Sequence, residues 1–145
     1  MIKQENISLN TLELLPAAVI LFDNEKVYYI NKKAIEVFNV PKSKLKNITS
    51  FSIYSFLDSA YHKNFRERTK LILKGQEFPE VELPFINFKK QLVYLEGKSN
   101  AVYLNGKKVV QTIFTDVSGQ VAYRDELTKA QETLVEEAIR ANLKN

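Results

Sequence analysis

Few side chains in this sequence could carry out catalysis. The chain has one histidine, His62, and no cysteine. A catalytic triad, a two-histidine metal site or a histidine relay needs imidazoles that a single histidine cannot supply. The lack of cysteine excludes disulfides, thiolate zinc sites, iron–sulfur clusters and cysteine nucleophiles. Only Asp, Glu, Lys and Tyr chemistry is left, and no Gly-rich phosphate loop, metal-ligand cluster or carboxylate pair at motif spacing is visible. We therefore expect no catalytic residue, no metal site and no enzyme activity.

The composition is that of one soluble globular domain. The 145 residues are 45% hydrophobic and 26% charged, and a chain of this length buries roughly two-thirds of the surface that its unfolded form exposes. The longest uncharged apolar run, Leu14 to Phe22, is far shorter than the roughly 20 residues that a membrane-spanning helix needs. Met1–Asn10 is polar and mixed in charge, unlike a signal peptide. We expect a cytoplasmic protein without a membrane segment.

The first half of the sequence predicts a helix, a β-hairpin and a second helix. An amphipathic pattern over residues 3–15 predicts a short helix that needs a partner on its apolar side. Ala18–Phe22 and Lys26–Ile30 are apolar or aromatic stretches separated by turn residues, which predicts two antiparallel strands. Asn31 then stands where a helix N-cap belongs. Residues 42–56 show no sustained period, so we expect short helical turns there.

The second half predicts a longer helix and a meander of three antiparallel strands. Ala60–Lys74 places apolar residues on one helical face and is followed by a glycine that can close the helix. Glu77–Phe88, Gln91–Leu104 and Lys107–Ser118 follow as extended segments. The Asn105-Gly106 pair between the last two is the strongest short hairpin signal in the chain.

One face of the middle strand of this meander carries small side chains. Gly97, Ser99 and Ala101 share this face because side chains alternate along a strand. Such a face either receives a closely packed helix or leaves an internal space for a small organic ligand, and both alternatives stay open. Aromatic and aliphatic side chains elsewhere in the chain are the other candidate walls: Tyr29, Tyr54, Phe56, Phe65, Leu71 and Tyr94.

The last segment, Gly119–Asn145, predicts a long amphipathic helix. Leu127, Leu134 and Ala138 form an apolar stripe among charged residues. An isolated helix of this kind is marginal in water, so we expect the stripe to contact the same helix of a second copy. Asp116 lies at the boundary between the preceding strand and this helix, where a carboxylate can cap the first helical turn.

Three short motifs follow one another in the order of these elements. Leu15-Pro16-Ala17-Ala18-Val19 precedes Asp23, Val27–Asn31 forms the second strand up to the capping Asn, and Phe114–Ser118 closes the last strand. Together with the element order, these motifs resemble the PAS domain family. Cores of that family open with Leu-Pro-x-x-Val followed by Asp, and close with an Asp-Ile-Thr signature.

The resemblance implies an α+β fold. A PAS fold has a five-stranded antiparallel sheet with helices on one face, and here amphipathic helices would flank it at the N- and C-terminus. The chain would divide into an N-terminal flanking helix over 1–15, a PAS core over 16–118 and a C-terminal signalling helix over 119–145. Glu25-Lys26 and Asn39-Val40 stand where the family commonly has glycine, so these two turns must be built differently.

The resemblance also implies a function. PAS domains serve as sensory and dimerisation modules of cytoplasmic signal-transduction proteins, here of the sensor histidine kinase or diguanylate cyclase type. A small ligand in the core would change strand packing, and Asp116 with the C-terminal helix would pass the change to an effector domain, where any catalysis resides. The chain would form a homodimer through its N- and C-terminal helices. A ligand-free PAS module used only for protein–protein assembly is the alternative.

Two cofactors and one further class of partner are weighed against simpler interpretations. Some PAS domains bind haem through a histidine on the long helix, but we interpret His62 as a solvent-facing or capping residue. The missing cysteine excludes the cysteinyl-flavin photoadduct of light-sensing relatives, whereas noncovalent flavin stays compatible with the sequence. A nucleic-acid or acidic partner would depend on a lysine cluster that we interpret as a solvated surface. The cluster consists of Lys32, Lys33, Lys42, Lys44 and Lys46.

Overall fold

The computed structural model describes residues 6–144. Within these residues the fold has five helices and five strands, and 3₁₀ turns at Ile48–Ser50, Ile53–Phe56 and Ser59–Tyr61 connect the first half to the second. In chain order the elements are α1 (Leu9–Glu13), β1 (Ala18–Phe22), β2 (Val27–Ile30), α2 (Lys32–Phe38), α3 (Lys42–Leu45), α4 (His62–Leu73), β3 (Val81–Ile86), β4 (Leu92–Leu104), β5 (Lys107–Asp116) and α5 (Ser118–Leu143).

The strands form one antiparallel sheet in the order β2-β1-β5-β4-β3. Its inner face packs against α2, α4 and the 3₁₀ turns, where Ile20 and Phe114 join Phe38 and Ile72 in the main core. The predicted α+β architecture, with a five-stranded antiparallel sheet and core helices on one face, is confirmed. Strand β1 is buried on both faces, because α1 covers the outer face and forms a second, smaller core there around Leu12.

Helix α1 is shorter than the amphipathic pattern predicts. Ile7 donates its backbone N–H to the carbonyl of Tyr103 at 2.8 Å, so the chain pairs with the end of β4 before the helix begins. Ser8 then caps the helix, since its hydroxyl accepts from the backbone N–H of Thr11. The predicted helical residues 3–5 lie outside the described residues.

Asn31 does more than cap α2. Its fully buried side-chain oxygen accepts from the backbone N–H groups of Ala34 at 3.0 Å and Val19 at 2.9 Å. Its amide nitrogen donates to the carbonyls of Leu12 at 3.0 Å and Ala17 at 2.8 Å. The predicted N-cap is confirmed, and the same side chain also holds α1 and β1 against α2.

The two turns without glycine use side chains that suit tight backbone geometry. Asn39 ends α2 in the left-handed region with φ of 53°, a conformation that asparagine tolerates better than most residues. In the first hairpin, the Asp23 carboxylate accepts from the backbone N–H groups of Glu25 at 2.8 Å and Lys26 at 3.0 Å. Asn39 thus adopts a backbone conformation that favours glycine, whereas the first hairpin turn is held by the Asp23 carboxylate without a residue in the left-handed region.

Candidate functional site: core cavity and helix junction

A cavity of about 50 Å³ lies between the inner face of the sheet and α4. Phe22 from β1, Phe38 from α2 and Phe114 from β5 contribute aromatic walls. One water molecule needs roughly 10–15 Å³ of such space, so the cavity admits a ligand of only a few non-hydrogen atoms. Its wall is largely apolar, and its polar side chains are Arg68, Thr69, Ser99 and Thr112.

The sheet side of the cavity, which we call its floor, includes Gly97, Ser99 and Thr112. Gly97 leaves space there because it has no side chain. A Cβ atom at this position would lie 2.9 Å from the Cγ2 atom of Thr112 and 3.2 Å from the Cβ atom of Phe114. Strand β5 thus approaches β4 more closely at this point than a larger residue allows. Ser99 and Thr112 pair directly across the two strands, and their hydroxyl oxygens lie 2.6 Å apart. This hydroxyl pair is the polar part of the floor.

The helical wall offers one cation. Thr69 is buried, but its hydroxyl already donates to the carbonyl of Phe65 at 2.9 Å. Arg68 is half-buried, donates through Nη2 to the carbonyl of Pro79 at 3.2 Å, and places its guanidinium 5.2 Å from the ring centre of Phe78. Burial lowers the pKa of the Arg68 guanidinium, although a group this basic keeps its proton at neutral pH.

The structure brings Phe65, Gly97 and Ser99 together at the cavity, as the sequence analysis proposes. Ala101 lies on the same face of β4 but further along, opposite Val110. Phe56 lies beside the cavity in an aromatic cluster, with its ring 5.3 Å from that of Phe38. Ala101 and Phe56 therefore support the walls without lining the space.

The three tyrosines proposed as inward-facing polar groups lie elsewhere. Tyr54 packs its ring against Phe65, but its hydroxyl donates to the side chain of Asn24 at 2.5 Å. Tyr29 lies on the outer face, where its hydroxyl donates to the carboxylate of Glu13 in α1, and burial together with this bond raises its pKa. Tyr94 is also on the outer face, since it lies an odd number of positions from Gly97. This corrects the predicted placement of Tyr29 and Tyr94, whereas Tyr54 packs against the main core beside the cavity wall.

Leu71 does not line the cavity, contrary to the prediction. Its side chain is 37% exposed on the solvent side of α4, because it lies more than a right angle around the helix from Phe65 and Ile72. Three polar cavity residues were not predicted: Arg68, Thr69 and Thr112. Their signal is nevertheless present in the sequence. Arg68 and Thr69 follow Phe65 at helical spacing, and the register of the Asn105-Gly106 hairpin places Thr112 opposite Ser99.

His62 does not line the cavity. Its Nε2 atom lies 2.7 Å from the carbonyl of Leu57, and its ring packs edge-on against Tyr54 with the centres 5.0 Å apart. A bond to a carbonyl requires a proton on Nε2, so the bond fixes that tautomer. Among residues 6–144, no group of three or more His, Asp or Glu side chains is arranged to hold a metal ion.

A second candidate region joins β4 to α5. The Asp116 carboxylate accepts from the backbone N–H of Ser118 at 2.9 Å. Val117 donates its N–H to the carbonyl of Tyr94 at 2.8 Å, and Tyr94 donates its own N–H to the hydroxyl of Ser118 at 2.9 Å. We call these four residues the junction. Asp116 acts at the predicted position, whereas the contribution of Tyr94 comes from its backbone and has no side-chain signal.

Helix α5 is docked only near its start. Val121 is buried, and the Arg124 guanidinium forms an ion pair with the Glu82 carboxylate of β3 at 2.6 Å. Beyond this point the described side chains of α5 are exposed, with Leu127 at 45% and Leu134 at 65%. Other large apolar side chains of α5 share this exposure: Tyr123, Val135, Ile139 and Leu143.

The basic surface is spread over α2 and α3. All five lysines of the predicted cluster are exposed, and Lys33 forms a surface ion pair with Glu36 at 3.5 Å. Such pairs contribute little to stability. Within the part of the chain that the structure describes, no helix is both long and apolar enough to cross a membrane.

Solved structures share this fold. No family model matches the chain, and no curated protein matches it. A PAS domain from Colwellia psychrerythraea superposes with a TM-score of 0.63 at 10% identity, covering 77% of this chain and 94% of that one. A sensory box histidine kinase/response regulator from Burkholderia thailandensis gives 0.62 at 13% identity, covering 83% and 91%.

A third structure was solved with a small molecule. The PAS domain of a LuxR-family transcriptional regulator from Burkholderia thailandensis, in complex with ethanol, gives a TM-score of 0.59 at 14% identity, covering 77% of this chain and 99% of that one. At these identities the similarity is one of fold.

Proposed function

Because this chain has the PAS fold, we propose that it is a sensory and dimerisation module of a cytoplasmic signal-transduction protein. The cavity receives the signal, and α5 carries it out of the domain. The effector is of the sensor histidine kinase or diguanylate cyclase type, and any catalysis belongs to it. A neighbour in fold that is named as a histidine kinase supports this context.

The observation that carries the proposal is that one strand serves both regions. Strand β4 contributes Gly97 and Ser99 to the cavity floor, and Tyr94 of the same strand binds the first turn of α5 through both of its backbone groups. A typical hydrogen bond contributes about 0.5–1.5 kcal/mol and one to a carboxylate about 1.5–3 kcal/mol. The junction is thus strong enough to follow a movement of β4 and weak enough to have alternative states.

We assign the exposed stripe of α5 to pairing with a second copy. Leu127 and Leu134 are one heptad apart, and Ala138 continues the stripe. A 26-residue helix with its apolar side in water is marginal alone. The N-terminal helix joins the same dimer, since Leu14 at the end of α1 is 86% exposed.

The absence of cysteine makes the relay directly measurable. A Glu132→Cys substitution creates a unique site for a spin label, and residue 132 lies on the side of α5 away from Leu127 and Leu134. Pulsed electron paramagnetic resonance then measures the distance between the two labels, and so between the two α5 helices of a dimer. We expect one narrow distance distribution in the otherwise unchanged chain.

Substitution of the junction tests the coupling. Asp116→Ala with Ser118→Ala removes both side-chain hydrogen bonds of the junction, so the distance distribution should broaden or shift. Thr115→Ala is the matched control, because Thr115 is the exposed neighbour of Asp116. An unchanged distribution in the double variant, or no dipolar signal in any protein, would contradict the proposal.

The assembly-only alternative has one observation in its favour. Aromatic side chains fill most of the space over the sheet, with Phe22 and Phe65 stacked at 5.7 Å and Phe38 and Phe114 at 5.6 Å. Under this alternative the dimer forms as described, but no small molecule changes the distance between the α5 helices.

A further inference from the structure

We propose that the cavity binds a short aliphatic monocarboxylate, with the alkyl chain among the phenylalanines and the carboxylate on the guanidinium of Arg68. This inference rests on the proposed sensory function, because it names the class of ligand that the cavity would sense. It follows from the charge, size and polar groups of the cavity.

Arg68 is a half-buried cation at the edge of a largely apolar cavity. Among residues 6–144, the ion pairs of the structure involve other basic side chains, and no carboxylate lies within ion-pair distance of Arg68. The guanidinium has five N–H donors, and its hydrogen bond to Pro79 uses one nitrogen. Partial burial removes some of the water that would otherwise solvate this charge. A ligand carboxylate would supply the missing charge and accept two parallel hydrogen bonds.

The rest of the wall explains why the ligand should carry one charged group only. Thr69 is satisfied within α4, and Ser99 and Thr112 satisfy each other across the sheet. The remaining lining is aliphatic or aromatic. A second charge on the ligand would therefore lie among apolar side chains without a partner.

The volume limits the length of the alkyl chain. At roughly 10–15 Å³ for each water-sized group, a cavity of about 50 Å³ holds about three to five such groups. Butyrate and valerate, with three and four alkyl carbons, match this range when the carboxylate lies at the edge beside Arg68. Octanoate is too long to fit without displacing a phenylalanine.

Butyrate is the probe for the test, and the protein is the full chain labelled with ¹⁵N. We expect butyrate to shift the backbone amide signals of Gly97, Ser99 and Thr112 in a saturable manner, whereas octanoate should not. Butan-1-ol has a similar alkyl chain and no charge, so it should bind at least tenfold more weakly. Equal affinity for butyrate and butan-1-ol, or no shift at these three amides, would overturn the inference.

Two substitutions on α4 form a matched pair. Arg68→Gln should weaken butyrate binding at least tenfold. Arg66→Gln removes the same charge from an exposed side chain that stacks on Tyr54 and does not line the cavity, so it should change the affinity less than twofold. Arg68→Lys keeps the charge and loses the planar fork, so it should lie between the two. Undiminished binding by Arg68→Gln would overturn the inference, and the wild-type titration decides it if that variant does not fold.

The experiments distinguish a wrong ligand assignment from a wrong sensory function. If the junction variants change the α5 distances but butyrate does not bind, only the ligand assignment is wrong. If butyrate binds at the cavity and leaves the α5 distances of the Glu132→Cys protein unchanged, the ligand assignment stands and the sensory function is wrong.

Discussion

Substitution of Gly97 by alanine tests the geometry of the cavity floor. The added Cβ would lie 2.9 Å from the Thr112 Cγ2 atom and 3.2 Å from the Phe114 Cβ atom, both shorter than normal carbon–carbon contact. Overpacking of this kind costs about 1–3 kcal/mol, and the reduced entropy of the unfolded chain offsets about 0.4–1 kcal/mol. The free energy of unfolding should therefore fall by about 1–2 kcal/mol, which lowers Tm by about 2–8 °C in a domain of this size.

The same substitution at Gly119 is the matched control for Gly97→Ala. Among the described residues, no heavy atom outside the neighbouring residues and the local helix backbone lies within 4 Å of a Cβ added there, and the position is in the first turn of α5. Alanine is a better helix former than glycine by about 1 kcal/mol. Gly119→Ala should thus raise Tm while Gly97→Ala lowers it, as measured by thermal and urea unfolding.

A third substitution separates the clash from other effects of Gly97→Ala. Thr112→Ser removes the Cγ2 atom and keeps the hydroxyl that pairs with Ser99. In the Thr112→Ser background, Gly97→Ala should lower the free energy of unfolding by a smaller amount, with a coupling of about 0.5–1.5 kcal/mol in the double-mutant cycle. Some cost should remain, since the contact with Phe114 is unaffected. A neutral or stabilising Gly97→Ala, or an equal cost in both backgrounds, would refute the argument for a close approach of β5 to β4.

Three further predictions concern stability, pH and assembly. Asn31→Ala removes four hydrogen bonds of a fully buried side chain and should lower the free energy of unfolding by about 3–5 kcal/mol; a loss below about 1 kcal/mol in urea would show that these bonds matter little. Burial tends to raise the pKa of Asp23, but hydrogen bonds from Tyr28 and the backbone N–H groups of the turn hold it below its usual value. The ionised Asp23 carboxylate therefore stabilises the fold above about pH 4, and this stabilisation is lost as the pH falls further. Between pH 7 and pH 3 the free energy of unfolding should fall more in the wild-type chain than in Asp23→Asn. Equal losses in the two proteins would contradict this. Leu134→Glu should convert the dimer to a monomer in analytical ultracentrifugation, whereas Lys129→Ala, also exposed on α5, should leave the dimer intact; a dimer that survives Leu134→Glu would exclude this stripe as the interface.

Local signals predicted most of the fold. Asn31 and the Asn105-Gly106 turn were sufficient to place α2 and to set the register of β4 on β5, because caps and two-residue turns depend on a few neighbouring atoms. The start of α1 was not predictable in this way. It depends on the hydrogen bond from Ile7 to Tyr103, which joins opposite ends of the sequence.

The positions of the candidate site residues are harder to predict from the sequence than the fold. Alternation along β4 already places Tyr94 on the opposite face from Gly97, so this placement could have been predicted correctly. Tyr29 is different, because a register shift between β1 and β2 breaks the alternation near it. Whether Phe56 lines a space or fills it depends on how the rings pack in three dimensions, and no local pattern reports that.

The central claim is that the cavity floor is coupled to α5 through β4 and the junction. The most direct measurement compares the distance between α5 helices, from spin labels at Glu132→Cys, with and without Gly97→Ala. We predict that Gly97→Ala shifts this distribution in the intact chain and has no further effect when Asp116→Ala and Ser118→Ala are present. A distribution that is unchanged by Gly97→Ala, or that shifts equally without the junction, would contradict the account.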